Sequence, residues 1–168
     1  MMLGVLTISD SVPLKQREDK SGQYIIEKLG HFFHGYKYLV ATDDVEDIQG
    51  KVELLLKESD FIVTNGGTGI MPRDNTPETL AGYLDKRIGP LEEAIKLAMV
   101  LKNGPLSALS RPVAGIKNGK YVIALPGRTA DVAAALEEVV KPFFVNHLFI
   151  DKINVKGAVQ EVLGQTHE

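Results

Sequence analysis

Residues 65–78, NGGTGIMPRDNTPE, hold the chain's densest set of groups able to do chemistry: Gly66, Gly67, Thr68 and Gly69, then Arg73 and Asp74, then Thr76-Pro77-Glu78. Glycines let the main chain approach a phosphate and turn successive N–H groups towards it, and a helix amino terminus adds a fixed partial positive charge. An arginine can pair with a phosphate in bidentate fashion, and an aspartate can hold Mg²⁺ directly or through water. The loop is neither common nucleotide signature: it lacks the lysine of G-x-x-x-x-G-K-[ST], and its glycines are not spaced G-x-G-x-x-G. The same residues also suit a ligand-free strand-to-helix turn, with Arg73-Asp74 as a surface salt bridge or a second cap.

Other candidates stand at the ends of apolar runs. Ser9 and Asp10 close the first run, and Pro126, Gly127 and Arg128 close the last. Asp43 and Asp44 open a helical pattern, where the helix dipole alone accounts for two acids. Ser110 and Arg111 precede Pro112 in a weakly periodic stretch that reads as loop. Of His31, His34, His147 and His167, only the first two are close together, in the aromatic turn HFFHGY, which reads as a packing or surface feature. The chain has no cysteine, so disulfides and thiolate chemistry are excluded. A metal would have to take oxygen or imidazole ligands, which suits Mg²⁺ better than structural zinc.

These residues need elements to position them. Residues 3–9 (LGVLTIS), 36–41, 61–64 (FIVT) and 121–125 (YVIAL) read as strands. Ser11 to Lys20 is polar and reads as a loop, after which Ser21 is placed to cap a helix that runs to Leu29 and stops at Gly30. Val45, Ile48, Val52, Leu55 and Leu56 share one helical face. Thr76 supplies a capping hydroxyl, with Pro77 as the first helical residue and an end near Leu84. Leu91, Ala94, Ile95, Ala98 and Met99 mark a helix over 90–101, and Val132, Ala135, Leu136 and Val139 mark another from about Ala130. Phe143, Phe144 and Phe149 read as core. Alternating strands and helices predict an α/β fold, a parallel sheet with helices on both faces, whose ligands lie beyond the carboxyl ends of the strands. Ser9-Asp10, 65–69 and 126–128 then meet at one rim. Residues 151–168 carry β-type residues (Ile153, Val155, Val159, Val162) without an assignable element.

Length and composition bound the rest. A chain of 168 residues with 44% hydrophobic content can bury one core, so 1–168 reads as one domain. A net charge of −3 and no Lys/Arg run give no reason to expect nucleic acid or an anionic membrane as partner. No run approaches the roughly 20 apolar residues that span a bilayer, which points to the cytoplasm.

The order of several motifs is more specific. VLTISDS from Val5, EDKSG from Glu18, GGTG from Gly66, PRDNTPE from Pro72, LSRPVAGI from Leu109 and LPG from Leu125 resemble the MogA/MoaB family of molybdopterin adenylyltransferases and the G domain of gephyrin. The resemblance covers about residues 3–150. It implies a three-layer α/β/α fold with a mostly parallel sheet, usually assembled as a homotrimer, that binds molybdopterin. With Mg²⁺ and ATP, adenylyltransferase members join AMP to the terminal phosphate of that pterin and release pyrophosphate, ahead of a molybdate-inserting enzyme. Carried over by motif, Asp43 and Asp74 become candidates for holding Mg²⁺ and positioning nucleotide. The substrate and nucleotide candidates are Ser9, Asp10, Gly66, Gly67, Thr68, Gly69, Arg73, Thr76, Ser110, Arg111, Pro126, Gly127 and Arg128.

Three positions depart from the family pattern. Arg128 follows LPG where the family often has Ser or Asn, Thr42 stands where it usually has Pro, and Asn75 where it usually has Val. Two alternatives stay open: a molybdopterin-binding protein without adenylyl transfer, and a trimeric scaffold.

Overall fold

Period-two alternation sorts the strand side chains onto two faces, and each face is covered by helices. The computed structural model describes residues 1–14 and 16–152, so most of the unassigned run 151–168 lies outside the described residues. In chain order the elements are β1 (Met2–Ile8), α1 (Lys20–Leu29), β2 (Gly35–Ala41), α2 (Val45–Glu58), β3 (Phe61–Asn65), α3 (Thr76–Tyr83), β4 (Lys86–Arg87), α4 (Gly89–Asn103), β5 (Val113–Lys117), β6 (Lys120–Leu125), α5 (Thr129–Ala135) and α6 (Lys141–Lys152). Leu3 and Val5 of β1, Phe61 and Val63 of β3, and Ile123 and Leu125 of β6 bury against Ile25 and Leu29 of α1, Ile95 and Met99 of α4, and Val132 of α5. Leu6, Ile8, Ile62, Val122 and Ala124 point the other way, onto Ile48, Val52 and Leu55 of α2 and Leu80 of α3. This is the expected three-layer α/β/α sandwich.

The strand order is β2-β1-β3-β6-β5-β4. The pairs β1–β2, β1–β3 and β3–β6 are parallel, while β5 pairs antiparallel with both β6 and β4. Only β5 is reversed, so the mostly parallel sheet stands with an added hairpin. The chain leaves β1 for β2 on one side and returns to β3 on the other, so the crevice between β1 and β3 is the switch point where ligands of open α/β sheets bind.

Several local expectations are corrected. Asp19, not Ser21, caps α1: its Oδ1 accepts the Gly22 N–H at 2.9 Å, and the buried Ser21 hydroxyl donates instead to the Gly127 carbonyl. The end of α1 is as expected, at Leu29 with Gly30 as its C-cap, where Gly30 keeps a right-handed conformation and leads into the 3-10 turn Gly30–Phe32. Asn75 takes the cap position of α3, so Thr76 lies inside the helix with its buried hydroxyl unbonded. Val45 and Ala94 are exposed, so neither belongs to the core face predicted for it. Ser110 and Arg111 lie on a loop as expected, and β5 begins just after Pro112 at Val113, a strand that the sequence reading did not include. Phe144 is buried and stacks on Phe33 at 4.5 Å, while His31 and His34 lie on the surface. The side chain of Phe149 lies outside the described residues.

The closest backbone approach in the crevice is at Gly66. Its φ is +100°, and a β-carbon there would lie 2.1 Å from the Ile8 carbonyl oxygen, a main-chain atom at the end of β1. Gly66→Ala should cost roughly 3 kcal/mol or more in a urea titration, because conformational strain adds to a clash that no side-chain rotation relieves. In the middle of α2, Gly50 has open space around it. Gly50→Ala should stabilise by about 0.5–1 kcal/mol, and equal effects of the two variants would refute a special role for Gly66.

Candidate functional site

Four strand ends meet at this crevice. β1 delivers Ser9 and Asp10, β2 delivers Asp43, β3 delivers the turn 65–69, and β6 delivers Pro126 and Gly127; thus all three predicted strand ends share one rim, joined by Asp43. Gly66 spends its N–H on the Leu125 carbonyl at 3.1 Å, so it ties β3 to β6 and does not point at a ligand. The N–H groups of Gly67, Thr68 and Gly69 have no hydrogen-bond partner among the described residues. The expected phosphate cradle therefore narrows to those three. Behind it, the Thr76 N–H donates to the Gly67 carbonyl, which anchors the start of α3 to the turn.

Asp43 and Asp74 flank this turn. Asp43 is half-buried, and its Oδ2 accepts the Asp10 N–H at 3.2 Å. Asp74 Oδ2 accepts the Met71 N–H at 2.8 Å. Both Oδ1 atoms are without a protein partner among the described residues. Asp43 does not cap α2. That end is held by Asp47, whose Oδ2 accepts both the N–H and the hydroxyl of Thr42, at 2.8 and 3.0 Å. Burial first, and the Asp10 carboxylate second, hold the Asp43 carboxyl above the usual carboxylate range, against the Asp10 N–H and Arg73.

Arg73 donates from Nε and Nη2 to both oxygens of Asp10, at 2.6 and 2.9 Å, and from Nη1 to Asp44 at 3.2 Å. Those bonds hold Asp10 below the usual carboxylate range and raise the Arg73 guanidinium. Arg73 thus bridges the loops after β1 and β2 across the rim. Arg111 points beneath the loop, donating to the carbonyls of Gly69 and Asp74 and to Glu78. Ser110 meets the Thr68 hydroxyl at 2.7 Å.

Two hollows open on either side of Asp74 and Gly127. One, about 190 Å³, is polar and includes Thr7, Ser9, Asp19, Asp43 and Asn65 in its lining. The other, about 370 Å³, presents Ile70, Met71, Leu106 and Leu109 below Ser110 and Arg128. Arg128 is exposed, with Nε 3.5 Å from Oδ2 of the buried Asp131, whose Oδ1 accepts from Ser107 and Asn103.

The sequence reading missed two acids. Asp19 accepts from the hydroxyls of Thr7 and Tyr38, both at 2.6 Å, and from Gly22 N–H, while Asn65 donates to Thr7; burial and the Asp19 bond push the Tyr38 phenol up to about 12. The motif EDKSG was its only signal. Its glycine is explained by space, since a β-carbon on Gly22 would lie 2.1 Å from Asp19 Oδ2. Asp131 had no motif to mark it.

Comparison with known proteins fits this geometry. The family described as "Probable molybdopterin binding domain" matches residues 4–146. A protein named molybdopterin adenylyltransferase from Pyrococcus furiosus is 35% identical over 146 residues, covering 84% of this chain and 86% of that one. Molybdenum cofactor biosynthesis protein B from Staphylococcus aureus is 37% identical over 149 residues, covering 86% and 87%. Among solved structures, the tungsten cofactor synthesizing protein MoaB from P. furiosus superposes with a TM-score of 0.79 at 31% identity, covering 89% of this chain and 95% of that one. The molybdopterin biosynthesis enzyme MoaB of a Thermus species gives 0.73 at 34% identity, covering 83% and 89%. With the family profile spanning nearly the whole described chain and relatives above 30% identity along most of their own length, the chain belongs to the MogA/MoaB family of molybdenum cofactor biosynthesis enzymes.

Proposed function

We propose that this protein is a molybdopterin adenylyltransferase, joining AMP from ATP to the terminal phosphate of molybdopterin and releasing pyrophosphate. One observation carries the reading: two carboxylates flank a turn with three unpaired N–H groups, each with one oxygen fixed by a backbone N–H and the other unpaired. A pure binding module has no use for two acids there, because they repel a phosphate unless a cation intervenes.

The residues fit Mg²⁺. The available donors are oxygens, and glycine keeps their approach open: a β-carbon on Gly67 would lie 2.8 Å from Asp43 Oδ1, and one on Gly69 would lie 2.5 Å from Asp74 Oδ2. Among the described residues no group of three or more acids, histidines or cysteines could hold a metal alone. Two carboxylates, water and substrate phosphate oxygens are the donor set Mg²⁺ ordinarily uses. Bound there, Mg²⁺ supplies neutralisation of the polyphosphate and of charge developing during transfer.

The protein's own part is alignment. The N–H groups of Gly67, Thr68 and Gly69 receive a phosphate oxygen, and Asp43 and Asp74 fix the cation beside it. The polar hollow takes the nucleotide and the apolar hollow takes the pterin. Asp74 and Gly127, common to both, lie where the two phosphates meet. The pterin phosphate is the nucleophile: its oxygen bonds to the α-phosphorus of ATP as the bond to pyrophosphate breaks. Arg128 and the Thr68–Ser110 hydroxyl pair stand ready as donors to that phosphate. A cytoplasmic homotrimer that passes its product to a molybdate-inserting enzyme completes the reading.

Incubation with molybdopterin, Mg²⁺ and labelled ATP should yield AMP transfer with stoichiometric pyrophosphate, and pterin binding without transfer refutes the enzyme. Asp74→Ala and Asp43→Asn should each reduce turnover on the order of a hundredfold or more. Because Asp43 caps nothing, Asp43→Asn should leave stability within about 0.5 kcal/mol of the parent. A melting loss as large as the activity loss would make Asp43 structural.

A carboxyl titration isolates the electrostatics. Removing the Asp10 charge by Asp10→Asn lowers the cost of ionising Asp43, so the Asp43 resonance, followed by ¹³C NMR without metal, should titrate at lower pH than in the parent. No shift, or a shift upward, would show that the Asp10 charge is not what raises Asp43.

Arg128→Ser places the family's commoner residue at the rim. A charge-assisted contact of about 1.5–3 kcal/mol predicts a roughly ten- to hundredfold loss of molybdopterin affinity, smaller at high salt. Unchanged or tighter binding would remove Arg128 from the site.

A further inference from the structure

Residues 70–73 form an excursion between the phosphate turn and Asp74, with no side chain to pin it by packing: Ile70 and Met71 are 63% and 69% exposed, and Pro72 and Arg73 are exposed as well. Polar contacts must therefore hold it. At its base, Arg111 donates to Gly69 O from Nε at 2.9 Å and Nη2 at 2.7 Å, and to Asp74 O from Nη2 at 3.0 Å. Its Nη1 is paired with Glu78 of α3, and its own N–H donates to the Thr68 carbonyl at 2.9 Å. One guanidinium thus clasps the carbonyls on both sides of the excursion and the helix that follows it.

The consequence reaches Asp74. Its carboxylate rests over Gly69, the residue Arg111 grips twice, and its Oδ2 takes the Met71 N–H from inside the excursion. If the clasp opens, Gly69, Met71 and Asp74 lose their common frame, and the carboxylate loses its aim. Although the side chain is 39% exposed, its Nε, Nη1 and Nη2 are all engaged, three bonds going to main-chain carbonyls and one to Glu78, so its donors are committed to the loop. We propose that Arg111 is a positioning residue, which sets the Asp74 carboxylate for cation binding by closing the base of the 70–73 excursion, and is not itself a contact to substrate. This rests on the adenylyltransferase reading for its catalytic consequence, but the geometric claim is separate.

Arg111→Lys keeps the charge and loses the fork, since an ammonium cannot bridge two carbonyls and a carboxylate in one plane. Amide hydrogen exchange reads the frame directly. The Met71 N–H should exchange roughly two- to tenfold faster, the weight of one weakened hydrogen bond, while β1 and β3 amides keep their rates. The Mg²⁺ concentration for half-maximal binding of a non-hydrolysable ATP analogue should rise, and kcat should fall about ten- to a hundredfold with the KM for molybdopterin unchanged. Added guanidinium ion should restore part of the rate to Arg111→Gly. Three results overturn the proposal: unaltered Met71 exchange in the folded variant; a salt-sensitive rise in KM at unchanged Mg²⁺ dependence, which makes Arg111 a substrate ligand; or a lower melting temperature with unchanged constants per folded molecule, which makes it merely structural. Should Arg111→Lys fail to fold, Glu78→Gln releases Nη1 alone and must give smaller changes of the same sign in exchange and Mg²⁺ dependence, or the clasp is refuted. If the parent transfers no AMP while exchange and metal-dependent binding still respond, the adenylyltransferase reading fails and the positioning role stands.

Discussion

Two main chains approach at the switch point with no side chain between them: the Gly66 α-carbon sits so close to the end of β1 that a methyl group would lie 2.1 Å from the Ile8 carbonyl oxygen. On the other side, a β-carbon on Gly127 would lie 3.5 Å from the same α-carbon, and the Gly66 N–H is bonded to Leu125. β1, β3 and β6 therefore end in register, and the loops after them leave from one small area. The positions of Asp10, the 67–69 turn and Gly127 follow from that contact. So does the anchoring of α1, since Ser21 reaches the Gly127 carbonyl and Asp19 reaches Thr7 on β1.

Charge is the second constraint. Asp10, Asp43, Asp44 and Asp74 gather around the turn, and Arg73 answers two of them. The pair with Asp10 is bidentate but half exposed on both sides, so solvent screens it and it adds little to stability. Its effect is on geometry. Asp10 receives Arg73 through its carboxylate and exchanges main-chain contacts with Asp43, giving its N–H to Oδ2 and taking the Asp43 N–H at 3.0 Å. The loops after β1 and β2 thus become one unit, capped by a residue from the loop after β3. Asp43 keeps an unsatisfied charge in a half-buried place, and a cation relieves that cost more than a neutral donor could.

Much of this was legible because it is local. Strands β1, β3 and β6 are buried on both faces and read as apolar runs, and the turn after β3 carries its glycines openly. β4 and β5 were not legible for equally physical reasons. β4 is two exposed charged residues, Lys86 and Arg87, and β5 is interrupted by Gly115, where a β-carbon would lie 2.3 Å from the Lys86 carbonyl. The sequence shows only the missing side chain; the residue of the neighbouring strand that requires it, Lys86, is 29 positions earlier. Caps failed similarly. Asp19, Ser21 and Thr76 all suit a helix start, and partners more than 100 residues away decide for Ser21. Glu92 is a further case: buried in α4, it accepts from Arg87 and from the Ala114 N–H, so an acid on an apolar face pins the reversed hairpin.

The departures from the family pattern are most informative where they change who satisfies whom. Proline at position 42 would have no N–H to give, whereas Thr42 offers Asp47 both an N–H and a hydroxyl. The α2 start is thereby held from the third helical residue, and neither Asp43 nor Asp44 is needed as its cap. Their carboxylates are left to the rim, one for the crevice and one for Arg73. Arg128 works in the opposite sense. A small polar residue there would leave the buried Asp131 with Ser107 and Asn103 alone, whereas the arginine adds a cation 3.5 Å away and keeps most of its guanidinium in solvent. The buried acid thus fixes where the arginine hovers, and the apolar hollow gains a positive edge.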